Sequence, residues 1–301
     1  MALTKGSLFP AQLSKEVVNL VRGKSAIARL AGIEPVKFNG TDIFTFSFDN
    51  EAAIVGEGDA KPVGGATIAP VQIRPFKVEY GARVTDEFMF ASEEEKIDIL
   101  KSFVDGFSAK AARALDIAAF HGYNPRTAQA STVIGNNHLD YVIANYDNGA
   151  NIITYDSSDP NANMEAAIAK VMDAEHEVTG AAFAPSFRSA LASQLKSNGD
   201  PMFPELGWGN QVDTLRGLSI DSNSTVAFAS SPDKAVVGNF RDFFKWGVAK
   251  DLGIKVIEYG NPDNSEDGDL QGHNQVYIRG EIYIGYGILV PAAFALVKSG
   301  E

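Results

Sequence analysis

The chain has no cysteine, only four histidines, two tryptophans and no long apolar run. Each shortage removes a class of function. Without cysteine there is no disulfide framework, no thiolate nucleophile and no Cys-ligated zinc, a composition at home in a reducing cytosol. His121, His138, His176 and His273 include no pair at the i, i+4 spacing of a zinc-binding helix. His176, in DAEHE, reads as an exposed helical residue on a charged face. No window reaches the roughly 20 apolar residues of a membrane helix, and MALTKGSLFPAQLSKEVV lacks the apolar centre of a signal peptide. Neither a G-x-S-x-G nucleophile elbow nor a Walker loop occurs. Gly56, Gly58, Gly64 and Gly65 do not fit G-x-G-x-x-G, and Glu57 and Asp59 beside them would repel a phosphate. The expectation is therefore a protein without catalytic residues, cofactor or metal site.

Positive charge is also scarce. Lys and Arg number 26 against 38 Asp and Glu, a net charge of -12 over 301 residues. That argues against nonspecific DNA binding, which needs clustered cations against phosphates. Residues 1–40 depart from the rest, with six cations against two carboxylates, so +4 there and -16 elsewhere. Lys15, Arg22 and Lys24 lie in this basic segment. It reads as a solvated helical face, or as a basic arm that docks on acidic neighbouring bodies.

Alternation of apolar and polar residues marks half-buried strands. Ile43–Phe48 places Phe44, Phe46 and Phe48 on one face. Phe76–Val84 alternates in the same way, and the two runs flank AAIVGEGDAKPVGGATIAP. They are expected to form the two strands of a long ribbon, too small to be stable alone and suited to lying on another subunit. Before it, Leu13–Ala31 is helix-prone, interrupted at Gly23 and ended by Gly32 and Pro35. After it, Ser92–His121 is the strongest helical segment, with a Ser92–Glu95 capping box and a stop at Gly122. At 1.5 Å per residue this helix spans roughly 45 Å, a structural spine. Beyond residues 122–160, helices are expected at Asn163–Glu177 and Pro185–Lys196. Strands are expected at Ala181–Ala184, Thr225–Ala229, Lys234–Gly238, Ile254–Tyr259, Val276–Tyr286 and Ala293–Lys298.

Two features imitate binding sites. Asp263, Ser265, Asp267 and Gly268 resemble the start of a calcium loop, but Asn274 stands where a bidentate Glu is needed. Asp263–Asp269 therefore reads as a solvated acidic loop. Trp208, flanked by Glu205 and Asp213, and Trp246 are the residues a glycan-binding or sugar-active pocket would use.

The order of elements carries a resemblance. A basic N-terminal segment precedes an extended ribbon with AAIVGEGDAKP, then VTDEFMFASEEEKIDIL opening a long helix, then an α/β region, then NQVYIRGEIYIGYGILVPAAFALVK. In this order the chain resembles the major capsid protein of tailed bacteriophages, the coliphage HK-ninety-seven type of fold. The resemblance implies an α+β fold with an N-arm at 1–38 and an extended β-hairpin loop at 39–85. It further implies a peripheral domain with the spine helix at 86–159 and 273–301, and an axial α/β domain at 160–272. It implies a structural, non-enzymatic subunit that forms hexamers and pentamers and closes an icosahedral shell around double-stranded DNA without reading its sequence. Separate scaffold, portal and decoration proteins are the implied partners. The implied location is the virion capsid, assembled in the bacterial host cytoplasm. Lys15, Arg22, Lys24, Phe44, Phe46, Phe48, Glu57, Asp59 and Lys61 are then candidate subunit-interface residues. Some members link a loop lysine to a neighbouring asparagine; Lys61 has no matched asparagine here and is expected to be a plain surface lysine. An encapsulin-type nanocompartment shell of the same fold, enclosing enzymes instead of a genome, is the alternative.

Overall fold

The computed structural model describes residues 19–48, 51–87, 93–207, 209–210 and 212–300. Residues 19–24 are helical, and after a break at Ser25 helix α1 (Ala26–Leu30) and the short strand β1 (Gly32–Ile33) follow. The break falls at Ser25 and not at Gly23 because Ser25 is the N-cap. Its hydroxyl accepts from the Ala28 N–H at 3.0 Å, which satisfies one of the orphan donors of a helix start. Val21, Ala26, Ile27 and Ala28 are fully buried. The described part of the basic segment is thus part of the body.

Next come β2 (Thr41–Phe48), β3 (Ala66–Ile73) and β4 (Phe76–Thr85). The ribbon is β2 paired antiparallel with β3, from Thr41↔Ile73 to Phe48↔Ala66. Phe76–Val84 is therefore not its second strand, and the expected loop at 39–85 ends earlier. β4 instead pairs along its length with β13 (Gln275–Ile288). Sequence alternation is identical for either pairing, and a mixed-sheet partner 190 or so residues away leaves no local signal.

The spine, α2 (Glu93–His121), runs as expected and stops at Gly122, which takes φ +69°, a left-handed conformation glycine adopts without strain. The capping box at Ser92 falls outside the described residues. A small hairpin, β5 (Tyr123–Asn124) with β6 (Gln129–Ala130), leads to α3 (Leu139–Asn145) and β7 (Ile152–Thr154). Then come α4 (Pro160–Asp173), β8 (Gly180–Phe183), α5 (Pro185–Ala192), β9 (Thr214–Leu215) and β10 (Leu218–Ser222). The expected strand at Thr225–Ala229 is a kinked 3-10 segment, Ser224–Ser230. The Thr225 carbonyl lies 2.9 Å from the buried His121 ring and its N–H donates to the Asn223 side chain, so neither enters a ladder. β11 (Asp233–Gly238), α6 (Phe240–Phe243), β12 (Phe244–Ile257), β13 and β14 (Phe294–Lys298) complete the chain.

Two sheets organise these elements. One has the order β1-β12-β13-β4, the other β7-β14-β11-β8-β10-β9. Sheet membership cuts across the expected division of the chain. β12, placed with residues 160–272, joins β13 and β4, whereas β7 and β14 join the second sheet. The second half of α2 lies in the main core with Phe120, Phe183, Phe240, Phe244, Trp246, Tyr286 and Phe294. Its first half covers a satellite cluster of Leu100, Val276 and Ile278. No described helix is long and apolar enough to cross a membrane.

One buried carboxylate joins the N-terminal segment to the spine. Asp116 of α2 is fully buried. Its oxygens accept from the Ser25 hydroxyl (2.5 Å), the Ala26 N–H (3.0 Å) and the Ile27 N–H (3.1 Å). They also accept from the Thr225 hydroxyl (3.2 Å) and the Asn223 amide (3.3 Å). Burial pushes the carboxyl up to about 6, against the opposing pull of these hydrogen bonds.

Asp116→Ala strands these donors in the core. Each buried unsatisfied donor costs about 1–3 kcal/mol, so a loss on the order of 3 kcal/mol or more is expected in urea unfolding, at unchanged slope. The folded-state value of about 6 lies above the ordinary 3.8, so the folded chain holds this proton more tightly than the unfolded chain. Asp116's contribution to stability is therefore greatest below pH about 4, falls as pH rises to about 6, and is constant above that. Unfolding midpoints of wild type relative to the non-titrating Asp116→Asn, followed across that window, should fall accordingly.

Candidate assembly surface

The ribbon is fixed at its root and bare along its length. At the root Ile73 is buried in a slot that β13 opens with glycines. A Cβ on Gly287 would lie 2.8 Å from Ile73 Cγ1, and one on Gly285 would lie 3.1 Å from Ile73 Cγ2. Any side chain at Gly287 would overpack this contact. The sequence IYIGYGI therefore combines strand-forming residues with gaps for a strand that crosses it.

Directly opposite residues in an antiparallel pair share a face. Phe44 faces Pro70, Phe46 faces Ile68 and Phe48 faces Ala66. Phe44, Phe46, Phe48 and Ile68 are 67%, 57%, 77% and 59% exposed. The rings of Phe46 and Phe48 meet edge to face at 5.1 Å, and both remain more than half exposed among the described residues. Ile54 and Val63 on the connecting loop are also exposed. A contiguous apolar ladder of this kind is what marks a protein–protein contact surface.

At the tip, Asp59 Oδ2 accepts the Gly56 N–H at 3.0 Å and the Asp59 N–H donates to the Gly56 carbonyl at 3.2 Å. Asp59 thus shapes the turn, while Glu57 and Lys61 are exposed. Of the basic candidates, Lys15 lies outside the described residues. Arg22 is exposed, and the Lys24 ammonium donates to the Asp105 carbonyl of α2 at 3.2 Å. The structure brings the three phenylalanines together with each other. It places Lys24 on its own spine, and Glu57, Asp59 and Lys61 at the far end of the ribbon. Ile68 and Pro70 complete the apolar face and escaped sequence reading, because their register depends on the β2–β3 pairing. Arg29, also unrecognised in sequence, ties α1 to Asp213 and, at 2.6 Å, to Asp221.

The calcium-like loop holds a cation of the chain's own. Arg83 Nη2 donates to Asp263 Oδ1 (2.6 Å), Asn261 Oδ1 (2.8 Å) and the Gly268 carbonyl (2.9 Å). This hydrogen bonding holds the Asp263 carboxyl below its ordinary range. Arg83 therefore fills the loop's centre. Trp246 is fully buried and cannot stack on a sugar; Trp208 lies outside the described residues.

Comparison with known proteins gives the family and the fold. The phage capsid family matches residues 5–299, so the chain belongs to that family. A solved structure from Mycobacterium phage Ogopogo is 32% identical, covers 92% of each chain and has a TM-score of 0.76. One from Gordonia phage Cozz is 22% identical, with 92% of this chain and 87% of that chain covered and a TM-score of 0.74. The capsid of a native GTA particle shares the fold at 13% identity, covering 92% and 90%, with a TM-score of 0.62. No curated protein matches. The protein is a structural major capsid protein of the HK-ninety-seven type fold.

Phe44→Ser with Phe46→Ser should leave the isolated subunit's melting temperature almost unchanged, since exposed substitutions usually cost within about 0.5 kcal/mol. The same pair should sharply reduce association measured by light scattering. A fall in subunit stability with intact association would reverse the roles given to these rings.

Proposed function

We propose that this phage capsid protein assembles as hexamers and pentamers into a closed icosahedral shell around double-stranded DNA. The observation that carries the reading is the uncovered Phe44–Phe46–Phe48–Ile68 ladder on a ribbon locked at Ile73. A rigid root and an unsatisfied apolar face call for a second copy as the cover. Each aromatic side chain buried there contributes roughly 1.5–3 kcal/mol, whereas each exposed ion pair from Glu57, Asp59, Lys61, Arg22 or Lys24 contributes only about 0–1 kcal/mol. Repetition around a closed shell turns such contacts into large collective stability.

In this reading α2 and the four-stranded sheet form the peripheral part, and the six-stranded sheet with α4 and α5 forms the axial part near the symmetry axes. The acidic body gives an inner wall that does not adhere to packaged DNA. Scaffold, portal and decoration proteins would be separate chains, and assembly would take place in the cytoplasm of the bacterial host.

Negative-stain microscopy of the purified protein across salt concentration should reveal five- and six-membered rings or closed polyhedral shells. Deleting residues 55–64 should leave folded subunits, by circular dichroism, that close no shells. Normal particles from that deletion would sink the proposal. Particles that carry a copurifying enzyme and no DNA would move it to a nanocompartment shell.

A further inference from the structure

Behind the end of the spine three ionisable side chains from separate segments converge. His121 is the last residue of α2, Asp140 lies in α3 and Asp233 opens β11. His121 Nδ1 is 2.6 Å from Asp140 Oδ2 and 3.4 Å from Asp233 Oδ2, and all three donor atoms lie within 4.8 Å of one another. His121 and Asp233 are buried.

The imidazole's orientation is fixed from the other side. Nε2 lies 2.9 Å from the Thr225 carbonyl, which only accepts, so Nε2 carries a hydrogen. Nδ1 is therefore the atom left to face two carboxylates. Nδ1 faces two anions within ion-pair distance, so a cation is called for there, either the ring's own proton or a metal ion. With a proton there, the cluster keeps a net charge of -1; with a divalent cation and a neutral imidazole it is neutral. The remaining hydrogen bonds follow the pattern of an outer shell around a metal. The Thr225 carbonyl orients the histidine, and the Ser231 hydroxyl donates to Asp233 Oδ2 at 2.5 Å, as outer-shell partners do.

Two further observations point to a ligand. Asp140 Oδ1 is buried and has no hydrogen-bond partner, a costly arrangement for a carboxylate oxygen. His121 and Asp140 also form part of the wall of a cavity of about 420 Å³, together with Tyr123, Ser131, Asn136 and Tyr141. The cavity supplies an entry path and room for a solvent ligand.

We propose that His121 Nδ1, Asp140 and Asp233 form a binding site for a divalent metal ion of the zinc class. One nitrogen and two carboxylate donors suit zinc better than calcium or magnesium, which prefer all-oxygen shells. Three protein donors leave the fourth tetrahedral position toward the cavity. The ion would pin the end of the spine to α3 and β11. Spacing in the sequence could not reveal the site, because its donors meet only through the packing of α2 against α3 and the six-stranded sheet.

The test uses the full-length protein, stripped with EDTA and titrated with Zn²⁺ against a chromophoric chelator. One zinc per chain is expected, with a rise in melting temperature. Co²⁺ in its place should give the visible absorption of a four-coordinate ion. Asp140→Asn should weaken zinc binding by more than the roughly 10–100-fold typical of losing an outer-shell partner, and should abolish the melting shift and the cobalt band. Asp267→Asn, on the exposed acidic loop, should bind like wild type. Failure of wild type to compete with the chelator would overturn the site. So would equal affinity in Asp140→Asn, or loss of binding in Asp267→Asn alone. The cobalt spectrum of wild type decides the matter even where a variant folds poorly.

Discussion

Everything in this subunit depends on the buried carboxylate of Asp116. It stands where the spine, the N-terminal segment and the 3-10 segment at Ser224–Ser230 meet, and it accepts from all but the first. A five-residue helix such as Ala26–Leu30 cannot hold itself together in water, because so short a helix barely outgrows its nucleation cost. It persists because a fixed anion caps its first N–H groups and because Val21, Ala26, Ile27 and Ala28 are packed on the core. Arg29 then fastens its far end to Asp213 and Asp221. With the segment locked, strand β1 is delivered beside β12, where Gly32 and Ile33 pair with Lys245 and Trp246, and the four-stranded sheet gains its edge.

That sheet is the foundation on which the ribbon stands. β13 pairs with β12 on one side and β4 on the other, and its glycines admit Ile73 at the root of the ribbon. The geometry separates two tasks. Large rings such as Phe120, Phe183, Phe240 and Phe294 are fully buried and hold the subunit together. Phe44, Phe46 and Phe48 lie outside that core and are exposed. Among the described residues the core is closed by such rings, while the ribbon leaves an apolar face exposed.

Electrostatics follows the same division. Inside, charges are few and bound to specific partners: Asp116 by five donors, and His121 between Asp140 and Asp233. Outside, cations shape loops. Arg83 gathers Asn261, Asp263 and Gly268 around one guanidinium, so the acidic connection between β12 and β13 is organised from within the chain. Lys77, Glu79, Arg279 and Glu281 form a further network across β4 and β13.

The sequence by itself determined whatever depends on local periodicity. The spine to His121, its stop at Gly122, the helices near Asn163 and Pro185, and the strands at Lys234–Gly238 and Val276–Tyr286 are all set by spacing, capping and glycine placement. The alternation of Phe44, Phe46 and Phe48 likewise set the three rings on one face of the ribbon. Tertiary structure decided which strands pair. Phe76–Val84 alternates cleanly whereas Ala66–Ile73 does not, yet packing sends the first to β13 and the second to β2. It also decided that Thr225 contributes its carbonyl and hydroxyl to buried side chains and forms no strand, that Trp246 is core, and that His121 meets two aspartates. The physical reason is the same in each case. Periodicity records which way a side chain points relative to its own backbone, whereas pairing and convergence depend on the neighbours that folding brings from distant parts of the chain.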